Sequence, residues 1–486
     1  MIGQSTHGSW RSVFSWCLIL LVFGSVTACG PKQAGETAGL PALEELNVVL
    51  IVIDTLGAKH LGCLQPGLTT SPNIDRLARS GVLFRKAYTT SPWTEPAVAS
   101  LFTSLMPSDS KMLFMFDYLD AEHETLAELM RARGKRTASV VSHFLVGGRY
   151  GFDQGFERCS EEPVGDYTAI SSQKVTDLAL KRLDWLKDEN FFLFVHYFDP
   201  HFFYNHHPQF DRTTGYSGQL ETGMARGQLR EMRFDLDQTD LDFLVGLYRE
   251  EIAFVDEQIG RLLRRLEVLG LSENTLVILT ADHGEAFMEH GWIGHTRNLY
   301  DELLHVPLIL SLPGSLEPVT VDAKVSLLDV VPTLLALSCD PVAEPDWQGR
   351  SLLGYLADSG GSGSDATSAS ADTDRGLFAE VSFMQPADWP AVSEEEKTAF
   401  FTALRAGELK LIHDIKLDRY ELYDLSQDPG EGHDLAPAGH PALTELQQQL
   451  LAWEAERVKT WDSSLETMQE ADPAVIERIR SLGYLR

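Results

Sequence analysis

Asn47-Val48-Val49-Leu50-Ile51-Val52-Ile53-Asp54-Thr55 decides how this chain folds. It is a continuous apolar run, mostly β-branched, that ends in an acid. A strand buried on both faces reads this way, and burial on both faces marks a central strand of a parallel sheet. In α/β proteins the crevice at the carboxyl ends of such strands is where ligands sit, and Asp54 falls there. Leu276-Val277-Ile278-Leu279-Thr280-Ala281-Asp282-His283-Gly284-Glu285 repeats the design. Phe191-Phe192-Leu193-Phe194-Val195-His196, followed by Asp199-Pro200-His201, is a third apolar run with polar residues behind it. One acid after one strand is an ordinary loop cap. Three strands delivering Asp54, Asp282, His283 and His201 to one edge read as a site. Strand-like runs alternate with amphipathic helices from Leu46 to about Tyr355, which predicts an α/β domain with a large, mostly parallel sheet flanked by helices.

Ser91-Pro92-Trp93-Thr94-Glu95-Pro96-Ala97-Val98-Ala99-Ser100-Leu101-Phe102-Thr103 adds a hydroxyl to that edge. Pro96 suits the first turn of a helix, where a missing N–H costs nothing, and Ala97 to Thr103 reads as a short apolar helix. Thr94 stands at or just before its N-terminus. Unpaired N–H groups and the positive end of the helix dipole favour an anion there and ease ionisation of a hydroxyl. Taken alone, Thr94 reads as an N-cap, a common role for threonine; the strand ends change that reading. Asp54, Thr94, Asp282 and His283 make a ligand set for one divalent cation, with calcium, manganese, zinc and magnesium all open. Such a cation would lower the pKa of the Thr94 hydroxyl and neutralise charge on a bound oxyanion. Covalent attack by that oxygen would split ester cleavage into two easier steps.

The stretch from Thr94 to Ser104 resembles the nucleophile signature of the sulfatase family, C/S-x-P-x-R-x-x-L-x-T-G, within the alkaline-phosphatase superfamily. In that family the first residue is a Cys or Ser that a maturation enzyme converts to formylglycine. Thr94 already carries a methyl group on Cβ, so oxidation to an aldehyde is closed to it. Val98 replaces the Arg and Ser104 the final Gly. The resemblance runs from about Leu46 to Tyr355 and resumes over the C-terminal part. Val52-Ile53-Asp54-Thr55-Leu56 is similar to the family's first metal-binding strand, with Thr55 where many members have a second Asp and Gly57 where related sequences have Arg. Ser71-Pro72-Asn73-Ile74-Asp75-Arg76-Leu77-Ala78-Arg79-Ser80-Gly81 resembles the following helix; locally Ser71 caps it, Pro72 starts it and Gly81 stops it. Ala281-Asp282-His283-Gly284-Glu285 resembles the second metal-binding strand. His290-Gly291-Trp292-Ile293-Gly294-His295 resembles the block after it, with His295 near the place of a family Lys. Asp199-Pro200-His201 is similar to the segment whose His contacts the oxyanion or leaving group. The basic residue that often follows the nucleophile helix has Lys111 as its nearest substitute.

The resemblance implies a metal-dependent hydrolase of sulfate or phosphate esters, with Thr94, His201 and His295 catalytic and Asp54, Thr94, Asp282 and His283 around the metal. The same four residues are similar to the Thr-nucleophile branch of the superfamily, the phosphoglycerol and phosphoethanolamine transferases. A transferase to an envelope acceptor is therefore the alternative reading, and an inactive binding lipoprotein that keeps the metal site is a third.

The formal net charge of −31 excludes a nucleic-acid partner, since no basic stripe is visible, and leaves an anionic substrate to a local cation. Arg11, an apolar run from Val13 to Val26 and Thr27-Ala28-Cys29-Gly30 resemble a bacterial lipoprotein signal with its lipobox. The run is too short for a confident spanning helix. Residues 1–28 are thus read as a signal peptide, Cys29 as the lipidated anchor to the membrane and 29–45 as a tether, placing the protein in the bacterial cell envelope, facing periplasm or exterior. Of 5 Cys, setting aside Cys17 and Cys29 leaves Cys63, Cys159 and Cys339, an odd remainder that leaves room for one bond with the pair open.

Residues 46–356 are read as the catalytic domain. Within it, Leu241 to Leu269 is a long helix with Leu244, Leu247, Ile252, Val255, Ile259, Leu262, Leu263 and Leu266 near helical spacing, stopped by Gly270. Tyr204 to Gln238 is polar and irregular, either a substrate lid or a disordered insertion. Residues 357–374 are a Gly/Ser-rich linker. In 375–440, Gly376–Val381, Ala399–Leu404 and Leu409–His413 read as strands, the last two joined by a hairpin at Arg405–Glu408, which makes a small antiparallel sheet subdomain. Glu421–Pro429 reads as a turn, and 441–486 as C-terminal helices.

Overall fold

The opening run forms strand β1 (Asn47–Ile53), every residue of it buried, near the middle of an eight-stranded sheet. The structure is a computed structural model that describes residues 39–115, 117–161, 171–339, 346–357, 375–384 and 398–457. The signal, Cys29, nearly all of the 357–374 linker and the chain beyond residue 457 lie outside the described residues. The sheet contains β1, β2 (Val82–Tyr88), β3 (Arg136–Val140), β4 (Arg158–Ser160), β5 (Phe191–Tyr197) and β6 (Thr275–Ala281). A short hairpin of β7 (Ala286–Phe287) and β8 (Ile293–Gly294) stands apart; β9 (His305–Ser311) and β10 (Val319–Ser326) complete the sheet. Its order is β10-β2-β9-β6-β1-β5-β3-β4. Only β9 runs antiparallel to its neighbours β2 and β6; the remaining pairs are parallel. The expected mostly parallel sheet is thus what forms. β5 and β6, like β1, are buried along their whole length, as strands sandwiched between helical layers must be.

The long helix spans Gln238–Val268, with Asp237 accepting from the Asp240 N–H at its start and Gly270 in the left-handed region, φ +70°, just past its end. All eight apolar positions read from the sequence are buried. Arg261 and Arg265 pair with Asp177 and Asp184 on the neighbouring helix Ser172–Leu186.

The helix Pro72–Arg79 corrects one expectation. Ser71 does not cap it with its side chain; its hydroxyl instead donates to Asp75 and accepts from the Gly62 N–H. The first N–H groups of Asn73 and Ile74 donate to Asp256 of the long helix, at 3.0 and 2.8 Å. Gly81 is needed for closeness: a Cβ there would lie 2.3 Å from the Leu310 carbonyl oxygen of β9.

Beyond the linker, β11 (Leu377–Met384), β12 (Thr398–Ala406), β13 (Leu409–Asp414) and β14 (Arg419–Asp424) form an antiparallel sheet. The fourth strand replaces the first half of the expected turn at Glu421–Pro429. Alternation puts Ile412 and Tyr423 on the face that joins the main core and Leu411 and Leu422 on the other, where Leu446 and Leu450 of the helix Leu443–Ala455 cover them. Cys63 and Cys159 are free thiols and Cys339 is disulfide-bonded, so no bond joins two of the three cysteines that the sequence left for pairing. Among the described residues no helix is long and apolar enough to cross a membrane.

Candidate active site

The register of three parallel strands builds the site. Ile53 pairs with Ala281 of β6 and with Tyr197 of β5, so Asp54 and Asp282 emerge side by side at the carboxyl edge. Both are fully buried, as are His283, Glu285 and His295. Asp282 Oδ1 accepts from the backbone N–H groups of Thr55 and His283, at 3.2 and 2.9 Å. Thr55 sits in the left-handed region, φ 57°, held there by the Tyr248 hydroxyl, which donates to its carbonyl at 2.6 Å.

Thr94 opens the helix Thr94–Thr103 as its first helical residue; Trp93 holds the cap position. The threonine is therefore not the N-cap, and its hydroxyl faces the strand ends. Its Oγ1 lies 3.3 Å from His283 Nε2. His283 Nδ1 is 2.9 Å from the Gly284 carbonyl, which can only accept, so the proton sits on Nδ1 and Nε2 presents a lone pair. That lone pair stands 3.6 Å from both Asp54 Oδ1 and Asp282 Oδ2. Ser104, at the place of the family glycine, does adopt the left-handed conformation, φ 59°. Its hydroxyl donates to the Leu328 carbonyl and accepts from the Gly349 N–H, which anchors a residue that glycine would hold more cheaply.

Both Asp54 oxygens and Asp282 Oδ2 have no hydrogen-bond partner. Burial, then repulsion from Asp282 and Glu285, pushes the Asp54 carboxyl well above the usual carboxylate range; burial also raises Asp282. Buried acceptors left without donors, in a cluster of like charges, fit a cation. The donor set of two carboxylates, an imidazole lone pair and a hydroxyl suits a divalent one.

The other predicted residues lie alongside. The His201 ring centroid is 4.9 Å from that of His295, which is 4.6 Å from that of His283. His295 Nδ1 meets Glu285 Oε1 at 2.8 Å. His201 Nδ1 meets the Phe202 carbonyl at 3.1 Å, which leaves its Nε2 as an acceptor. Lys111 is not part of the site: it pairs with Glu122 at 2.6 Å on the surface. The Tyr204–Gln238 stretch is ordered rather than a disordered insertion. It carries the helix Arg226–Met232, from which Arg230 donates to the carbonyls of Ile293 and His295.

Two histidines were given no role from sequence. His143, just beyond β3, and His196, inside β5, are fully buried, and a ring nitrogen of each lies within 4.8 Å of an Asp54 oxygen in two groupings, Asp54 with His143 and His201, and Asp54 with His196 and Asp282. His143 Nδ1 accepts from the Leu145 N–H at 3.1 Å, so its proton is on Nε2, which makes that atom a donor. Burial and the nearby His196 hold His143 well below the usual histidine range, and burial pushes His196 down to about 3. Both rings are neutral. The only sequence signal for His143 was a polar Ser142-His143 pair after a strand.

With this geometry in hand, known proteins give the chain a family. The sulfatase family model matches residues 46–340. The chain is 23% identical to the N-acetylglucosamine-6-O-sulfatase of Bacteroides thetaiotaomicron, over 87% of each chain. It is 27% identical to human arylsulfatase A, over 90% of this chain and 93% of that one. Among solved structures, a protein in complex with its substrate D-glucosamine-2-N,6-O-disulfate superimposes with a TM-score of 0.66 at 20% identity, covering 86% of this chain and 98% of that one. The phosphonate monoester hydrolase of Agrobacterium radiobacter superimposes with a TM-score of 0.65 at 22% identity, covering 86% and 96%. A family model that matches most of the chain, together with the fold those structures share, shows that this protein belongs to the sulfatase family of the alkaline-phosphatase superfamily.

Proposed function

We propose that the protein hydrolyses an anionic sulfate or phosphate ester with unmodified Thr94 as nucleophile, and that phosphoryl transfer is at least as fast as sulfuryl transfer. The observation that carries this reading is the Thr94 hydroxyl at a helix N-terminus, 3.3 Å from the lone pair of His283 and beside Asp54. Asp54, Asp282, His283 and Thr94 would hold one divalent cation, which when bound lowers the pKa of a hydroxyl and offsets charge on the ester.

The chain's own residues do the rest. The Thr94 hydroxyl gives up its proton to solvent, its oxygen attacks the phosphorus or sulfur, and the bond to the leaving oxygen breaks. His143 Nε2–H donates to a non-bridging oxygen of the ester. His295, whose Nδ1 meets Glu285 Oε1, gives the proton on its Nε2 to the leaving oxygen. In the second step His295 takes a proton from water as that water attacks the Thr94 ester; the bond to Thr94 Oγ1 breaks, that oxygen takes a proton from solvent, and phosphate or sulfate is released. Formylglycine hydrate would offer a second hydroxyl to expel sulfate; Thr94 has none, so direct attack by water at phosphorus is the easier course.

Thr94→Ala should lower kcat by at least a thousandfold and keep most of the bound metal, measured on aryl sulfates, phosphate monoesters, phosphodiesters and phosphonates with metals varied. Full activity in that variant, or aryl sulfate turnover far above any phosphate ester, would refute the mechanism. Phospho-product on added glycerol in place of free phosphate would identify a transferase.

A further inference from the structure

His196 lies within β5, opposite Val52 of β1 and one residue before the strand's last, Tyr197. It is wholly buried, and neither of its ring nitrogens has a hydrogen-bond partner. Packing alone does not ask for a histidine there. Phe194, two residues earlier and therefore on the same face of the sheet, meets Phe102 of the helix Thr94–Thr103 with ring centroids 4.9 Å apart. Its centroid is 6.3 Å from that of His196. An apolar ring would fill the place of His196 as well. An imidazole buried with both nitrogens unmatched is destabilising, because its lost hydration is not replaced.

The ring faces buried atoms in the same state. Asp54 Oδ2, itself without a partner, is 3.9 Å from His196 Nε2. One ligand atom from each of His196, Asp54 and Asp282 lies within 4.8 Å of the other two. A separation of 3.9 Å is too long for a hydrogen bond. It suits two ligands of one cation, since groups about 2.1 Å from a zinc ion stand roughly 3 to 4 Å from each other. The 3.6 Å between His283 Nε2 and both Asp54 Oδ1 and Asp282 Oδ2 belongs to the same pattern. Asp54 thus has one oxygen near each imidazole. His143 is no rival for this role, because its Nδ1 accepts from the Leu145 N–H and its Nε2 carries the hydrogen.

We infer that His196 is a further nitrogen ligand of the cation at Asp54, Thr94, Asp282 and His283, and that this cation is a borderline ion of the zinc or cobalt class. The inference rests on the cation set proposed above and narrows it. Calcium and magnesium take oxygen ligands, whereas imidazoles suit zinc and its neighbours in the transition series. The test reads the metal rather than turnover. Metal-depleted protein is loaded with one equivalent of zinc, and X-ray absorption counts the imidazole rings bound to it. Wild type should show two rings and His196→Gln one. The zinc Kd, measured by competition with a chromophoric chelator, should rise at least tenfold in His196→Gln, and wild type should bind calcium at least tenfold more weakly than zinc. One ring per zinc in wild type overturns the assignment. So does a count that stays at two in His196→Gln, even with weaker binding, or calcium bound more tightly than zinc. If His196→Gln fails to fold by circular dichroism, His201→Gln decides: two rings kept sustain His196, and a fall to one gives the second ring to His201 and overturns the inference. Wild type that takes up no divalent ion ends the cation reading and this inference together, whereas zinc held through one ring leaves that reading standing and removes His196 alone.

Discussion

Asp282 shows how one residue serves backbone and chemistry together. One oxygen is spent on the N–H groups of Thr55 and His283, which fixes the turns after β1 and β6; the other faces Asp54 and accepts nothing. Replacing it with Asn keeps the first role and removes the charge. Asp282→Asn should therefore fold with wild-type secondary structure yet retain less than a tenth of the divalent metal by elemental analysis after dialysis. Equal metal content in both proteins would sink the assignment. Gly284 next door is fixed by closeness alone: a Cβ would stand 2.1 Å from the Glu302 carbonyl oxygen. Backbone cannot give way there as a flexible side chain could.

At the scale of elements, the helix Pro72–Arg79 is capped across space by Asp256 rather than by its own Ser71. Burial pushes the Asp256 carboxyl from 3.8 up to about 6, against the hydrogen bonds that favour its ion. The folded state thus binds this proton more tightly than the unfolded chain does. Its contribution to stability is full below the ordinary carboxylate value and is lost as pH rises through about 6. A shift of that size corresponds to about 3 kcal/mol at most. Asp256→Asn keeps an acceptor for the helix N–H groups and removes the titration. Urea unfolding from about pH 4 to 7 should show wild-type stability falling more steeply than that of the variant, by about 1–3 kcal/mol across the window. Parallel curves would rule the effect out.

At the scale of the whole molecule, the small sheet is a wall of the large domain. The Glu380 N–H donates to the Thr90 carbonyl just ahead of the helix Thr94–Thr103, and Glu380 Oε1 accepts from the Ser108 N–H. Arg405 and Lys410 both reach Asp301. Phe383 packs against Trp93. Residues far apart in sequence thereby brace the helix that carries Thr94. We also propose that Cys29 is the lipidated N-terminus of the mature protein and holds it at the envelope membrane, on the strength of Val26-Thr27-Ala28-Cys29. Cys29→Ser should move the protein from the membrane fraction to the soluble one, and mass spectrometry of wild type should find diacylglyceryl on Cys29. An unmodified Cys29 in an intact soluble chain would contradict it.

Sequence alone determined the elements whose burial is written in their own period. Unbroken apolar runs made β1, β5 and β6 legible as central strands, and helical spacing made Gln238–Val268 legible because each of its core positions is buried in the main core. Asp54, Thr94, Asp282 and His283 were legible because each stands at the end of such an element, where a polar residue is conspicuous. Only the tertiary structure decided which residues meet. His143 and His196 carry no local pattern; they reach Asp54 because β3, β5 and β1 are neighbours, and strand order comes from packing the whole sheet. Lys111 is near the site in sequence and pairs elsewhere, since it ends the short helix Pro107–Ser110 and its exposed side chain meets Glu122. Periodicity reports how one segment meets the core, whereas a site assembled from several segments depends on the order in which the sheet stacks them.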